Sequence, residues 1–282
     1  MLYKKIKHIA IVGTGVIGSS WATLFLEKGL RVTATDIAAG AEQKLRNQIF
    51  QNAPNLSQEL LTFEESLEEA VKNVQFVQEN GSEQTDLKQE LFRKLDSCTP
   101  PDVLLVSSSS GIIPSLLQTG TSYPERILLG HPFNPPHLIP LVEVCGGEHT
   151  SDEAVERTIE FYRSVGKKPI RLKKEIKGHV ANRLQAALRQ EAFYLVQQGV
   201  ASAEDIDMAI TEGPGLRWAL PGPFVNLHLG GGSGGARHFL NHLGPAIQSW
   251  IKDLVRVTMN KDLIVMLSDE VGKMVQKKNL TA

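Results

Sequence analysis

The sequence predicts an α/β protein: a parallel sheet with helices on both faces, followed by an all-helical C-terminal domain. Short apolar runs alternate with helical stretches as far as about residue 176. The first of these runs ends in a glycine-rich turn that opens a helix. Beyond Gly178 the alternation stops and long helical segments take over. Alternation of this kind marks parallel strands joined by helical crossovers, which cover both faces of the sheet.

Residues 6–12 are an apolar run broken only by Lys7 and His8, and they read as a buried first strand. Residues 16–28 read as a helix that stops at Gly29. Residues 30–35 form the second strand, closed by Asp36. Helical stretches follow at 39–52 and 57–60, then a short edge strand at 61–63 and a short helix at 64–71. Residues 74–78, 83–96 and 103–107 continue as strand, helix and strand. Residues 127–130 and 141–145 add two strands, 150–165 a helix, and 169–172 a last strand. The domain boundary falls near Ile176, giving domains 1–176 and 177–282. Helices are expected at 180–198, 203–211, 222–229, 235–259 and 263–277. The glycine-rich stretch 230–235 reads either as a mobile loop or as a close helix crossing.

Composition removes several classes of function. Of 282 residues, 41% are hydrophobic and 22% charged, with a formal net charge of -1. No basic field is present to hold a nucleic-acid backbone. The two cysteines, Cys98 and Cys145, form neither a CxxC pair nor a zinc spacing, which suits a reduced chain. His238 and His242 stand four apart as metal ligands can, yet no third ligand accompanies them, and no metal is expected. No apolar run reaches the length of a membrane span. Met1-Leu2-Tyr3-Lys4-Lys5 leads straight into the first strand, unlike a secretory signal, and Asn279-Leu280-Thr281-Ala282 is not a peroxisomal address. A cytoplasmic protein with a small-molecule substrate is expected, with neither nucleic acid nor membrane as partner.

Gly13-Thr14-Gly15-Val16-Ile17-Gly18 matches GxGxxG, after a strand and at the start of a helix. Asp36 closes the next strand. That context identifies a Rossmann-type dinucleotide site. Gly13 permits the tight turn, Gly15 lets the backbone approach a pyrophosphate, and Gly18 lets helix and strand pack closely. The pyrophosphate sits on the helix N-terminus, where free N–H groups and the helix dipole favour anions. Asp36 accepts ribose hydroxyls and repels a 2′-phosphate, and Ile37, Ala38 and Ala39 bring no arginine to offset the repulsion. NAD is therefore expected rather than NADP. No second flavin-contact motif argues for FAD.

Gly130-His131-Pro132-Phe133-Asn134-Pro135-Pro136 follows a strand, and its prolines stiffen the segment. A histidine at the carboxyl end of such a strand lies where open α/β sheets bind ligands. Glu143, within Leu141-Val142-Glu143-Val144, is a carboxylate among apolar strand residues and needs a partner. The pair reads as an acid–base dyad: His131 takes a hydroxyl proton as hydride leaves, and Glu143 orients the ring. On this reading Glu143→Gln costs less than loss of the histidine, because an amide still orients the ring.

In these motifs the chain resembles the 3-hydroxyacyl-CoA dehydrogenase superfamily over nearly its whole length. The resemblance rests on the GTGVIG turn, the serine run 107–110, His131-Pro132-Phe133-Asn134-Pro135, Pro140-Leu141-Val142-Glu143-Val144 and Gly178-His179-Val180-Ala181-Asn182-Arg183. It implies that His131 and Glu143 are the catalytic pair and that Ser110 and Asn182 contact the substrate near its reacting oxygen. It also implies that Glu83 and Lys88, in the segment after Gln78, border the nicotinamide ribose. The alternative for these two is a helix-start glutamate and a solvated lysine. The resemblance further implies a homodimer formed through the helical domain.

Gly215-Leu216-Arg217-Trp218-Ala219 and Arg237-His238-Phe239 look most like the L-carnitine dehydrogenase branch, then the lambda-crystallin or L-gulonate 3-dehydrogenase branch. Those branches imply a free 3-hydroxy acid as substrate. A free carboxylate needs a cation, and the planar fork of arginine binds it bidentately. Arg217, read as part of a loop beside glycines and prolines, is the candidate. A quaternary ammonium needs aromatic faces, for which Trp218, Phe224, Phe133, Phe239 and Trp250 are available. The alternatives are an L-3-hydroxyacyl-CoA dehydrogenase of fatty-acid metabolism and a crystallin-like structural or binding protein.

Overall fold

A computed structural model describes residues 5–277. The readings of the chain start and chain end concern residues 1–4 and 278–282 and lie outside the described residues, apart from Lys5. The elements of the first unit are β1 (His8–Val12), α1 (Val16–Glu27), β2 (Arg31–Thr35), α2 (Ala41–Asn52), β3 (Leu61–Phe63), α3 (Leu67–Val71), β4 (Phe76–Glu79), α4 (Thr85–Cys98), β5 (Leu104–Ser107), α5 (Pro114–Leu117), β6 (Ile127–Pro132), β7 (Leu141–Gly146), α6 (Asp152–Ser164) and β8 (Lys168–Leu172). The strands form one eight-stranded sheet in the order β3-β2-β1-β4-β5-β6-β7-β8. β3 is an edge strand, as expected.

Successive side chains of a strand point to opposite faces, so a sheet covered on both sides needs apolar residues at every position. In β1, Ile9 and Ile11 join the core of one face, while Ala10 and Val12 join the core of the other. The first core is aromatic: Trp21 stacks on Phe25 and Tyr162, with ring centres 5.3 and 5.4 Å apart. The second is built around Phe92, Leu95, Val77 and Leu105.

The sheet departs from the expected parallel arrangement at one place. β6 and β7 pair antiparallel, with His131 opposite Glu143. A parallel return needs a crossover of about a dozen residues or more. Only the proline-rich loop 133–140 joins these two strands, so a hairpin is the only connection available. Residues 57–60 are not helical. The Ser57 hydroxyl accepts from the Glu59 amide and the Leu61 amide donates to Gln58 O, closing turns that compete with a helix.

Contacts divide the chain into residues 1–182 and 183–282. Residues 177–182 thus pack with the sheet unit rather than with the helical one, because their amides serve a strand carboxylate described below. The remaining helices are α7 (Ala181–Gln197), α8 (Ala203–Thr211), α9 (Pro214–Ala219), α10 (Pro223–Gly230), α11 (Gly235–Asp253) and α12 (Lys261–Lys277). α9 puts Arg217 in a short helix rather than the expected loop, with Pro214 at the start, where a missing N–H costs nothing. α11 ends at Asp253, short of the expected 259. At the glycine-rich stretch a Cβ on Gly231 would lie 1.9 Å from Gly235 O, so this is a close backbone crossing.

Candidate active site

The glycine turn after β1 is built as its sequence requires. Gly13 has φ +87°, and a Cβ there would sit 2.8 Å from the Asn80 carbonyl carbon. A Cβ on Gly18 would sit 1.9 Å from Gly13 O. On Gly15, by contrast, it would meet nothing within 4 Å, so this backbone faces open space. No side chain caps the start of α1 and its first turn carries no acidic residue. The first-turn N–H groups, those of Val16 and Ile17 among them, are therefore left to an anion.

At the end of β2, Asp36 Oδ2 accepts the Thr14 amide at 2.7 Å and the Thr14 hydroxyl at 3.0 Å, and Oδ1 accepts the Ala38 amide at 2.9 Å. Burial raises the pKa of Asp36, but these amides and the hydroxyl outweigh it and hold the carboxyl below its ordinary value. An open glycine cradle, an uncapped helix end and a persistent anion at the ribose position together fit NAD.

His131 and Glu143 meet across the hairpin. His131 Nδ1 lies 2.9 Å from Glu143 Oε2. Glu143 Oε1 accepts the amides of Val180 and Ala181, at 2.8 and 3.0 Å. Glu143 is fully buried and His131 is 6% exposed. Burial raises the pKa of Glu143, yet the bonds from His131, Ala181 and Val180 hold it below the usual carboxylate range. An ionised carboxylate only accepts, so His131 Nδ1 carries the proton and Nε2 is the free base. β6 runs in the same direction as β1 across the sheet, which puts His131 on the edge that carries the glycine turn.

The serine run sorts itself by partner. Ser107 donates to Glu79 at 2.6 Å, Ser108 to Asn80 Oδ1 at 2.7 Å, and Ser109 to Glu83 at 2.6 Å. Of these four serines only Ser110 has a hydroxyl with no partner among the described residues, and Ser110 is exposed. Asn182 Nδ2 donates to Ser110 O at 3.4 Å. Glu83 also accepts the Gly111 amide at 2.8 Å. Lys88 is neither solvated nor open to a ligand: it is 2% exposed, and its ammonium donates to both oxygens of Glu79, at 2.6 and 2.8 Å, and to Gly81 O. The strand-end Glu79 supplies the counter-charge, which sequence reading did not foresee; the apolar run before it was the available signal.

Two further buried groups carry no assigned role in the sequence. His179 packs its ring 5.0 Å from that of His131, and Phe133 stands on His131 edge to face at 5.5 Å. Lys167 is 6% exposed and donates to Pro136 O and Ile139 O, pinning the loop between β6 and β7. Ser20 pins the same loop by accepting the His137 amide at 2.9 Å. In the second unit, Arg217 and Trp218 both lie on α9 and are exposed. Among the described residues no cluster of histidine, cysteine and carboxylate could hold a metal, and no helix is long and apolar enough to cross a membrane.

The class this fold and its nucleotide turn define is an NAD-dependent dehydrogenase acting on a CH–OH group, and relatives bear this out. Residues 8–176 match the 3-hydroxyacyl-CoA dehydrogenase NAD-binding domain, and residues 178–261 match the C-terminal domain of the same family. The chain belongs to the 3-hydroxyacyl-CoA dehydrogenase family. Among its relatives, L-carnitine dehydrogenase of Streptomyces coelicolor is 45% identical over 92% of this chain and 85% of its own length. L-carnitine dehydrogenase of Pseudomonas aeruginosa is 46% identical over 86% of this chain and 79% of its own. Among solved structures, 5-formyl-3-hydroxy-2-methylpyridine 4-carboxylic acid 5-dehydrogenase, an NAD-dependent dismutase, superposes with a TM-score of 0.82 at 30% identity, covering 95% of this chain and 87% of its own. FadB2 of Mycobacterium tuberculosis gives 0.69 at 31% identity, covering 74% and 78%.

Proposed function

We propose that this enzyme oxidises the 3-hydroxyl of a small free 3-hydroxy acid, L-carnitine or an acid of its shape, to the 3-keto acid. The observation that carries the mechanism is the buried His131–Glu143 pair, in contact through Nδ1 at 2.9 Å. NAD, when bound, supplies the acceptor for the hydride that leaves C3. His131 Nε2 takes the hydroxyl proton. The resulting imidazolium keeps its Nδ1–H on Glu143, whose charge the Val180 and Ala181 amides hold in place. Ser110 and Asn182 hold the reacting oxygen. Glu83 borders the nicotinamide ribose, and Lys88 acts behind it through Glu79 and Gly81 O.

Arg217 reads the substrate carboxylate, and Trp218 offers a face to the quaternary ammonium. Relatives named for L-carnitine, at about the same identity from several organisms, support the free acid, and the dismutase named above also acts on a carboxylic acid. A homodimer completes the helical unit: α7 has no buried residue, and Leu184 is 65% exposed. We place the enzyme in the cytoplasm.

The test is NAD reduction by the purified protein with L-carnitine, L-gulonate, L-3-hydroxybutyrate and an L-3-hydroxybutyryl thioester. Highest kcat/KM is expected with a free acid. A strong preference for the thioester would assign the chain to acyl-CoA oxidation, and activity on none of them would favour a structural role.

A further inference from the structure

His179 stands where three strand ends meet. It is 1% exposed, and its φ of +51° lies in the left-handed region that side chains other than glycine enter at a cost. Its amide donates to Ile176 O at 3.0 Å. The next two amides, of Val180 and Ala181, are the ones that reach Glu143 on β7. Its imidazole spans to the end of β5, with Nε2 3.1 Å from Ser109 O, and lies beside His131 of β6. A carbonyl oxygen only accepts, so Nε2 carries the proton.

We propose that His179 is a positioning residue that locks the Ser109–Ser110 turn, the His131 ring and the Glu143 carboxylate into one geometry, and that it does so as a neutral Nε2–H imidazole. The proposal rests on the reading of His131 and Glu143 as the acid–base pair. Neutrality matters because a charged ring 5.0 Å away would oppose the imidazolium that forms on His131. Burial, the largest influence on His179, lowers its pKa and so favours the neutral form. A bend at this position also aims two amides at one carboxylate oxygen, a task an extended residue would not perform.

Two substitutions separate the hydrogen bond from the backbone. His179→Phe keeps a ring and loses the N–H, whereas His179→Gln keeps an N–H at the reach of Nε2 and loses the ring. Both meet the same left-handed backbone, so their difference reads the bond to Ser109. His179→Phe is expected to lower kcat about ten- to hundredfold, as small displacements of reacting groups do. KM for NAD and the melting temperature should stay close to wild type, and His179→Gln should recover most of the loss. A Phe variant with wild-type kcat, or a folded Gln variant as impaired as Phe, overturns the proposal. Nitrogen-detected NMR of the imidazoles decides the protonation state without turnover. His179 should be a neutral Nε2–H tautomer at the pH of the kinetic assay, and a charged ring at that pH overturns its neutral role. A wild type that reduces NAD with no hydroxy acid overturns the acid–base reading instead, and the NMR result then stands alone on His179.

Discussion

Replacing Glu143 by glutamine tests the dyad through its tautomer. The carboxylate has one oxygen on His131 Nδ1 and the other on two amides. A glutamine must put its carbonyl oxygen toward the Val180 and Ala181 amides, because its NH2 there would face two donors. The NH2 then points at His131 Nδ1, which must accept, so the ring's proton moves to Nε2. The nitrogen that should receive the substrate proton is then blocked. The ring stays oriented and the base is lost. This reverses the expectation drawn from sequence, that glutamine costs less than removal of the histidine. A wrong tautomer costs about three to four powers of ten in kcat, and His131→Ala should fall in the same range. Steady-state NADH formation by folded variants, with NADH affinity measured by fluorescence, is the assay. Affinity should be near wild type in both. A Glu143→Gln enzyme within tenfold of wild-type kcat would refute the tautomer argument.

Asp36→Ala should lower the ratio of NAD to NADP efficiency sharply, since the anion at the ribose position is gone; a wild type that already prefers NADP would contradict this assignment. Arg217→Met should lower kcat/KM for the free acid about ten- to hundredfold, the range for losing one charged hydrogen-bond partner that is not deeply buried, and leave an ester of the same acid nearly unaffected; equal losses on both would make Arg217 a fold residue. Burial pushes Lys167 down to about 8, below its unfolded value of about 10.4. Its ammonium therefore costs stability fully below about pH 8, and the cost is relieved as pH rises toward the unfolded value. Melting temperatures of wild type and Lys167→Met, compared at about pH 7 and pH 9.5, should show wild type gaining relative to the variant; parallel curves would remove the buried-ammonium account.

The nucleotide half of the site was legible because each of its residues answers a local demand. Gly13 meets a positive φ, Gly18 a close backbone contact, and Asp36 the end of a strand whose boundaries follow from an apolar run. His131 and Glu143 were legible for a similar reason: a polar residue inside an apolar strand calls for a partner, and the hairpin register supplies it. The rest depends on contacts between distant segments. Nothing near Lys88 in the sequence says that its ammonium is buried on Glu79, nor near Lys167 that it closes a loop about thirty residues earlier. His179 looks like one more residue of a motif until its left-handed backbone and its bond to Ser109 are seen. The antiparallel β6–β7 pair was missed because a strand pattern carries no direction. The loop length between the strands did carry it.

The central claim is that hydride leaves C3 of a free hydroxy acid while His131 takes the hydroxyl proton. L-carnitine deuterated at C3 tests this most directly, incubated with NAD and the purified enzyme, with the reduced nicotinamide analysed by mass spectrometry. The account predicts that each turnover carries deuterium into the reduced cofactor, and that His131→Ala slows the labelling as much as it lowers kcat. Reduced cofactor without the label, or no turnover of L-carnitine beside rapid turnover of the hydroxyacyl thioester, would contradict it.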